Sequence, residues 1–141
     1  MLKNIDPLLT GRMLRLLDEM GHGDVLGLVD RNFPAYRYRV PVIDLRDTDT
    51  AGAAAALLSV FPLDAYVDDP IRRMQIDGSP DEVSAASTAM GAVAGEAEGR
   101  TVGLVGVERF AFYGEATRAM LMIQTGETVP YSCYLLRKGV V

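Results

Sequence analysis

The segment EMGHGDVLGLVD, Glu19 to Asp30, links a helical pattern to a strand pattern and contains the single histidine of the chain, His22. Apolar residues before it recur at helical spacing, which predicts an amphipathic helix over residues 7–20. Glycines on both sides of His22 are typical of a helix end, and the apolar run after them predicts a short buried strand. The segment therefore places one imidazole in a glycine hinge between a helix and a strand.

Alternating helix and strand patterns continue through the rest of the chain. Strands are predicted in VPVIDL, DPIRRMQID, RTVGLVGVE, AMLMIQTG and YSCYLLRKG. The sequence GETVP, between the last two, is typical of a hairpin-like turn, and NFPAYRY predicts a loop. DTDTAGAAAALLSVF predicts a second helix, and RFAFYGEATR predicts a helical turn or short helix.

The segment SPDEVSAASTAMGAVAGEAEG carries a helix start signal. Ser79 is the expected N-cap, Pro80 takes the first helical position, and Glu82 completes a capping box. Together the elements predict a single α/β layered domain over residues 1–141, with a mostly parallel sheet and a β-rich C-terminal end. In such sheets, polar groups just outside the carboxyl ends of the strands are the favoured place for a ligand.

Composition narrows the class of protein. A chain of 141 residues that is 49% hydrophobic fits one domain with a real core. The formal net charge of −5 argues against nucleic acid or an anionic membrane as a partner, since both favour a basic surface. The N-terminus lacks the long apolar region of a signal peptide, and no apolar run approaches the roughly 20 residues that span a bilayer. These features predict a cytoplasmic protein.

Several well-known kinds of site do not fit the sequence. One cysteine, Cys133, excludes an intrachain disulfide, and with one histidine a Cys/His metal cluster is not expected. Carboxylate sites for Mg²⁺ or Ca²⁺ stay open. The glycines of GHGDVLG follow a helix and open a strand, which is the reverse of a dinucleotide-binding loop. The chain has no Gly-Lys-Ser/Thr phosphate loop and no serine in a G-x-S-x-G elbow.

The sequence leaves two interpretations of His22 open. An imidazole exchanges protons near neutral pH, and flanking glycines let a ligand approach, so His22 is a candidate acid–base catalyst. Alternatively, it caps the preceding helix and interacts with the helix dipole. Asp24 either orients the imidazole or forms an ordinary turn hydrogen bond, and the turn hydrogen bond is the favoured alternative. Asp30, at the end of an apolar strand, either binds a ligand or has an ordinary role, as a solvated strand end or in a local Asx turn.

Three candidates lie in the second half of the chain. Arg109 follows VGLVGVE, and its ordinary role is a surface ion pair with Glu108 or Glu115. Tyr131 opens the last predicted strand, where a tyrosine is commonly part of the core but also stacks on a sugar face. Cys133 lies in an apolar strand and is expected to be a buried, inert thiol.

Four stretches in order along the chain resemble one family. MGHGD, then VD-x-NFPA, later ERFAFY and finally Y-x-x-YLLRKGV are similar to the D-ribose pyranase / L-fucose mutarotase family, and the resemblance runs from end to end. NFPA and RFAFY resemble the fucose branch more than the ribose branch. The resemblance implies a Rossmann-like α/β fold and a ring-shaped homo-oligomer, a decamer or an octamer, with sites near subunit contacts.

The resemblance also assigns roles to residues. The general acid of the family falls on His22, its sugar-binding aspartate on Asp30, and the arginine of its RFAFY motif on Arg109. Its remaining substrate-binding positions fall on Tyr131, Ser132 and Cys133. It implies neither a cofactor nor a metal.

Two residues depart from the family pattern. Cys133 stands in place of the usual asparagine and so lacks a strong amide donor and acceptor, and Asn32 stands where fucose-type members often carry a histidine. The resemblance predicts a mutarotase or pyranase that interconverts anomers or ring forms of a monosaccharide, L-fucose-like favoured, by His-mediated acid–base catalysis. The alternative, motivated by these departures, is a non-catalytic monosaccharide-binding or transport-associated module.

Overall fold

The computed structural model describes residues 2–141 as four α-helices packed on the two faces of one six-stranded sheet. The strands are β1 (Val25–Val29), β2 (Val42–Leu45), β3 (Ile71–Met74), β4 (Leu104–Val107), β5 (Ala119–Thr125) and β6 (Tyr134–Arg137). The α-helices are α1 (Gly11–Glu19), α2 (Thr50–Leu58), α3 (Ala85–Glu98) and α4 (Arg109–Glu115). Short 3₁₀ helices cover Ala35–Tyr38 and Ala116–Arg118. No helix within the described residues is long and apolar enough to cross a lipid bilayer.

The sheet is mostly parallel, and its last strand lies in the middle. The strand order is β2-β5-β1-β6-β3-β4. Strand β5 runs parallel to β1 and β2, and β3 runs parallel to β4, whereas β6 is antiparallel to both of its neighbours. The predicted α/β layered domain, with a mostly parallel sheet and a β-rich C-terminal end, is confirmed.

The hairpin predicted at GETVP is wrong, because β5 and β6 are not neighbours in the sheet. Strand β1 lies between them and hydrogen-bonds to both. The side chains of Tyr134 and Leu136 on β6 are fully buried. An apolar strand that is covered on both faces is stabilised best between two partners, and the place between β1 and β3 provides them.

Each face of the sheet has its own hydrophobic core. Helices α1, α2 and α3 cover one face, to which β1 contributes Leu26 and Leu28. Helix α4 and the 3₁₀ helix Ala35–Tyr38 cover the other. Between its two leucines, β1 carries Gly27, where a Cβ atom would collide with the Met122 thioether of β5. The two-residue repeat of a strand thus divides β1 between the two cores.

The predicted start of α1 at residue 7 is wrong. The helix begins at Gly11, because the side chain of Thr10 is its N-cap and accepts the Met13 N–H at 3.3 Å. The preceding residues form a separate turn, in which the Leu9 N–H donates to the Asp6 carbonyl at 2.9 Å. This turn lies before Thr10, so the helical hydrogen bonds of α1 do not extend back to residue 7.

The predicted start of α3 at Ser79 and Pro80 is also wrong. The helix begins at Ala85, and its N-cap is Ser84. Residues 79–82 form a turn of their own, in which the Glu82 N–H donates to the Ser79 carbonyl at 3.0 Å. Arg73 of β3 holds this turn by donating to the Pro80 carbonyl at 3.2 Å. A tertiary contact therefore overrides the capping signal.

Candidate active site

A cavity of about 190 Å³ lies beyond the carboxyl ends of β1, β3 and β4. Of the residues predicted for the site, it is lined by Asp30, Arg109, Tyr131 and Cys133. Its volume is below the roughly 300–1,000 Å³ of sites for drug-sized ligands, which suits a small polar molecule. Within residues 2–141, no group of three or more His, Cys, Asp or Glu side chains is placed to hold a metal ion.

Asp30 is fixed by its own loop and by β5. Its Oδ1 accepts the N–H groups of Asn32 and Phe33, both at 3.0 Å, which forms the Asx turn that the sequence left open beside ligand binding. Gln124 of β5 donates from Nε2 to the carbonyls of Phe33 at 2.9 Å and Arg31 at 3.2 Å. The Asx turn does not exclude ligand binding, because the same carboxylate lines the cavity. An oriented carboxylate there is suited to accept hydrogen bonds from hydroxyl groups.

Arg109 is the first residue of α4, which begins directly after β4 through the N-cap Glu108. Its guanidinium pairs with Asp77 Oδ2 at 3.1 Å, so the predicted pairing with Glu108 or Glu115 is wrong. The guanidinium carbon lies 4.7 Å from the centre of the Phe110 ring. Its Nε is buried and has no acceptor within the described residues. Arg109 is therefore held in place while one donor stays free.

The segment before β6 contributes Tyr131 and Cys133 to the cavity. Tyr131 does not open a strand as predicted, because β6 begins at Tyr134. Its φ of 62° lies in the left-handed region, which non-glycine residues adopt rarely and often at functional sites. Ser132 is fully buried and lies outside the cavity lining. Cys133 is buried as predicted, and burial, followed by the nearby Asp30 carboxylate, raises the pKa of its thiol well above the usual value.

His22 lies at the opposite end of β1 from Asp30. His22 precedes the strand and Asp30 follows it, and a five-residue strand spans roughly 15 Å at about 3.3 Å per residue. Within one chain, the imidazole therefore does not share the cavity with Asp30, Arg109 and Tyr131. The His22 side chain is 44% exposed, so it is accessible from outside.

Sequence reasoning missed Asp64, the residue that contacts the imidazole. Its Oδ2 lies 3.2 Å from His22 Nε2 and accepts from Arg137 Nε at 2.7 Å, while its Oδ1 accepts the Tyr66 N–H at 3.0 Å. Burial favours the neutral acid, but the hydrogen bonds from Tyr66, Arg137 and His22 outweigh it and hold the pKa of Asp64 below its usual value. The one sequence signal is an aspartate inside the apolar stretch FPLDAY, where a carboxylate is uncommon.

The helix-cap interpretation of His22 is wrong, because Lys138 occupies that place. Its Nζ donates to carbonyl groups at the end of α1, including that of Leu17 at 2.6 Å. Asp24 forms the predicted turn, since its Oδ2 accepts the Gly21 N–H at 2.7 Å. The imidazole therefore neither caps α1 nor pairs with Asp24.

Comparison with known proteins agrees with this architecture. A model of the RbsD / FucU transport protein family matches residues 3–141. An L-fucose mutarotase of Glaesserella parasuis is 36% identical over 141 residues, which cover 99% of this chain and 96% of that protein.

Two solved structures share the fold over nearly the whole chain. FucU from Bifidobacterium longum has a TM-score of 0.92 and 34% identity, with 99% of each chain covered. A fucose mutarotase from Streptococcus pneumoniae, solved in complex with L-fucose, has a TM-score of 0.87 and 30% identity, again with 99% of each chain covered.

Proposed function

Since this chain belongs to the RbsD / FucU transport protein family, we propose that it is a sugar mutarotase that favours L-fucose-like monosaccharides. It is an isomerase, as its full-length relatives named L-fucose mutarotase are. The observation that carries the proposal is the small cavity in which this member of the family combines the fixed carboxylate of Asp30, the guanidinium of Arg109 and the phenol of Tyr131. We also propose that it acts in the cytoplasm, as the sequence predicts.

Mutarotation requires only that protons move at two oxygens of the sugar. The ring oxygen gains a proton and the anomeric hydroxyl loses one, so the bond between the anomeric carbon and the ring oxygen breaks and the open-chain aldehyde forms. The ring oxygen then attacks the other face of the carbonyl, and the protons return. A well-placed acid–base group accelerates such steps by typically 10²–10⁴-fold.

We assign the residues of the cavity to the substrate. Asp30 accepts hydrogen bonds from sugar hydroxyls, and Arg109, whose side chain also lines the cavity, donates to them. Tyr131 lines the cavity and binds the anomeric end through its hydroxyl. Cys133 supplies a small apolar wall, because its buried thiol is a weak donor and stays protonated. Ser132 contributes through its main chain.

We assign proton transfer to His22 of a neighbouring subunit. The separation of His22 from the cavity along β1 supports this, since one chain holds the two parts of the site at opposite ends of a strand. Exposed apolar side chains lie near both parts: Val140 lines the groove beside His22, and Phe110, 68% exposed, follows Arg109. Head-to-tail contacts between such surfaces generate a ring when the rotation closes, in accord with the expected decamer or octamer.

The test is anomer exchange measured by saturation-transfer NMR on L-fucose, D-ribose, L-rhamnose and D-galactose. We expect the largest acceleration with L-fucose. His22→Ala should reduce the acceleration by about 10²–10⁴-fold while circular dichroism shows an unchanged fold. Glu96→Gln, at an exposed acid on α3, serves as a control for a surface change. Sugar binding by calorimetry without acceleration for any sugar would instead identify a binding or transport-associated module.

A further inference from the structure

The His22 imidazole belongs to a small polar cluster that the substrate cavity does not include. Asp64 is 1% exposed, and its Oδ2 is shared between His22 Nε2 at 3.2 Å and Arg137 Nε at 2.7 Å. The Arg137 side chain is 47% exposed. Burying a carboxylate without a partner costs free energy. Here the guanidinium of Arg137 is the permanently charged partner of Asp64, and the imidazole of His22 is a second contact of the same oxygen.

The main chain holds the members of this cluster together. Directly after β6, the Gly23 N–H donates to the Lys138 carbonyl at 2.8 Å, next to His22. The Asp64 N–H donates to the Arg137 carbonyl at 3.0 Å. The same short segment therefore positions the turn that carries the imidazole and the loop that carries the carboxylate. Such double attachment is the mark of a pre-organised arrangement, since neither partner moves independently.

We propose that Asp64 and Arg137 are positioning residues that keep the proton of neutral His22 on Nε2, so that Nδ1 is the atom that exchanges a proton with the sugar. The inference rests on the proposed mutarotase function. A neutral imidazole carries one N–H, and the partner of one ring nitrogen decides which nitrogen carries it. An anionic oxygen that faces Nε2 selects the Nε2–H form and leaves the Nδ1 lone pair free.

The arrangement also supports the protonated form during the reaction. When Nδ1 takes the proton of the anomeric hydroxyl, the imidazolium donates through Nε2–H to the Asp64 carboxylate. Nδ1 then gives this proton to the ring oxygen as the bond between the anomeric carbon and the ring oxygen breaks, and the open-chain aldehyde forms. On closure, Nδ1 takes the proton back from that hydroxyl as its oxygen attacks the carbonyl, and delivers it to the new anomeric oxygen. The electron pair of each broken O–H bond stays on its oxygen, and His22 ends each cycle neutral. Neither Asp64 nor Arg137 touches the sugar, so their effect falls on turnover and less on binding.

The first measurement uses the unaltered protein. The chain has one histidine, so ¹⁵N-histidine labelling of the tag-free full-length protein reports on His22 alone. Long-range ¹H–¹⁵N correlation spectra at a pH where the imidazole is neutral distinguish its two tautomers. We expect a pyridine-like Nδ1 and a protonated Nε2. A neutral imidazole with its proton on Nδ1 would overturn the inference without any variant.

The second measurement compares Asp64→Asn with Asp68→Asn, an exposed acid in the same loop. For Asp64→Asn we expect the tautomer signature to broaden into a mixture. We expect kcat for anomer exchange to fall about 10- to 100-fold, as it does when a partner that orients a metal-bound histidine is lost. We expect KM to change little. Asp68→Asn should match the wild type in spectrum and rate.

The outcomes separate this inference from the proposed function. No acceleration by the wild-type protein contradicts the function itself, and an undiminished rate in His22→Ala removes the histidine from it. If both results agree with the function and folded Asp64→Asn keeps the wild-type rate and tautomer, the positioning role is wrong. If Asp64→Asn does not fold, the tautomer of the wild-type protein decides.

Discussion

At the scale of single residues, Asp64 is the least expected feature of the molecule. It is a buried carboxylate that joins a histidine, an arginine and a backbone amide. Neither His22 nor Arg137 is near it in sequence. Its ionised state is thus coupled to the folded state, because only the folded chain brings these donors to it.

This coupling predicts a contribution of Asp64 to stability that depends on pH. Its pKa is lower in the folded chain than in the unfolded chain, so the unfolded chain takes up the proton first as pH falls. The contribution is full above the ordinary value of about 3.9 and is lost as pH falls through the lowered folded value. Urea unfolding of wild type and Asp64→Asn should therefore show a free-energy difference that is constant near neutrality and shrinks below about pH 4.

The same titration of Asp68→Asn provides the comparison. Because Asp68 is exposed, its variant should follow the wild-type curve at every pH. A difference between wild type and Asp64→Asn that stays constant down to the most acidic condition would show that the carboxylate ionises equally in both states.

Some residues of the site follow from sequence and others do not. Asp30 was a candidate ligand-binding residue because it ends an apolar strand, and Arg109 was one because of the family resemblance. The structure places both at one cavity. Asp64 was not predicted, because a functional carboxylate outside any motif gains its role through a contact between distant segments. The separation of His22 from Asp30 follows directly from the strand between them.

At the scale of elements, the segment after β6 fixes the end of α1. Lys138 Nζ donates to the carbonyl of Leu17 at 2.6 Å and to that of Met20. Carbonyls in the last turn of a helix have no partner within the helix, and a cation there also interacts favourably with the helix dipole. A side chain from the far end of the chain thus completes the first helix.

We expect Lys138→Met to lower the free energy of unfolding by about 1.5–3 kcal/mol, as for other hydrogen bonds from a charged donor. Methionine keeps much of the aliphatic length, so the loss reports mainly on the ammonium group. Urea denaturation measures it. Lys3→Met is the matched control, since Lys3 is exposed near the N-terminus, and a loss of similar size in both variants would contradict the capping role.

Element identities were easier to predict than their boundaries. The strand segments and the helices were recognised by their periodicity, but α3 begins at Ala85 although Ser79 and Pro80 offer a better local start. The reason is the contact of Arg73 with the Pro80 carbonyl, which no local pattern reveals. Similarly, α1 begins after its N-cap Thr10, although the apolar residues before Thr10 continue the helical spacing.

At the scale of the whole molecule, the two ends of β1 carry the two parts of the proposed site. If the site forms between subunits, chains that lack different parts should complement each other. We expect His22→Ala and Arg109→Met each to be nearly inactive alone. After dissociation and joint reassembly at equal amounts, about a quarter of the contacts of a head-to-tail ring would join two intact halves.

Anomer exchange by the mixture should therefore recover toward about a quarter of the wild-type rate. Each variant taken alone through the same dissociation and reassembly is the control for losses in handling. A mixture no more active than its components would contradict a site shared between subunits, because it would show that one chain supplies both parts.

The strand order of the molecule could not be predicted from the sequence. Adjacent strands joined by a short polar segment favour a hairpin, and GETVP fits that pattern, yet β6 lies between β1 and β3. Part of the reason is that the connecting segment is held elsewhere: the Glu127 carboxylate accepts the N–H of Thr50 at the start of α2. This attachment leads the chain away from β5 before β6 begins.

The central place of β6 has a consequence for the synthesis of the protein. Without β6, the sheet consists of two separate pieces, β2-β5-β1 and β3-β4, with the edges of β1 and β3 unpaired. While the ribosome is still producing the preceding residues, these edges are open to pairing with other chains. The two pieces join only when residues 134–137 are available, so the sheet closes after its other five strands have been made.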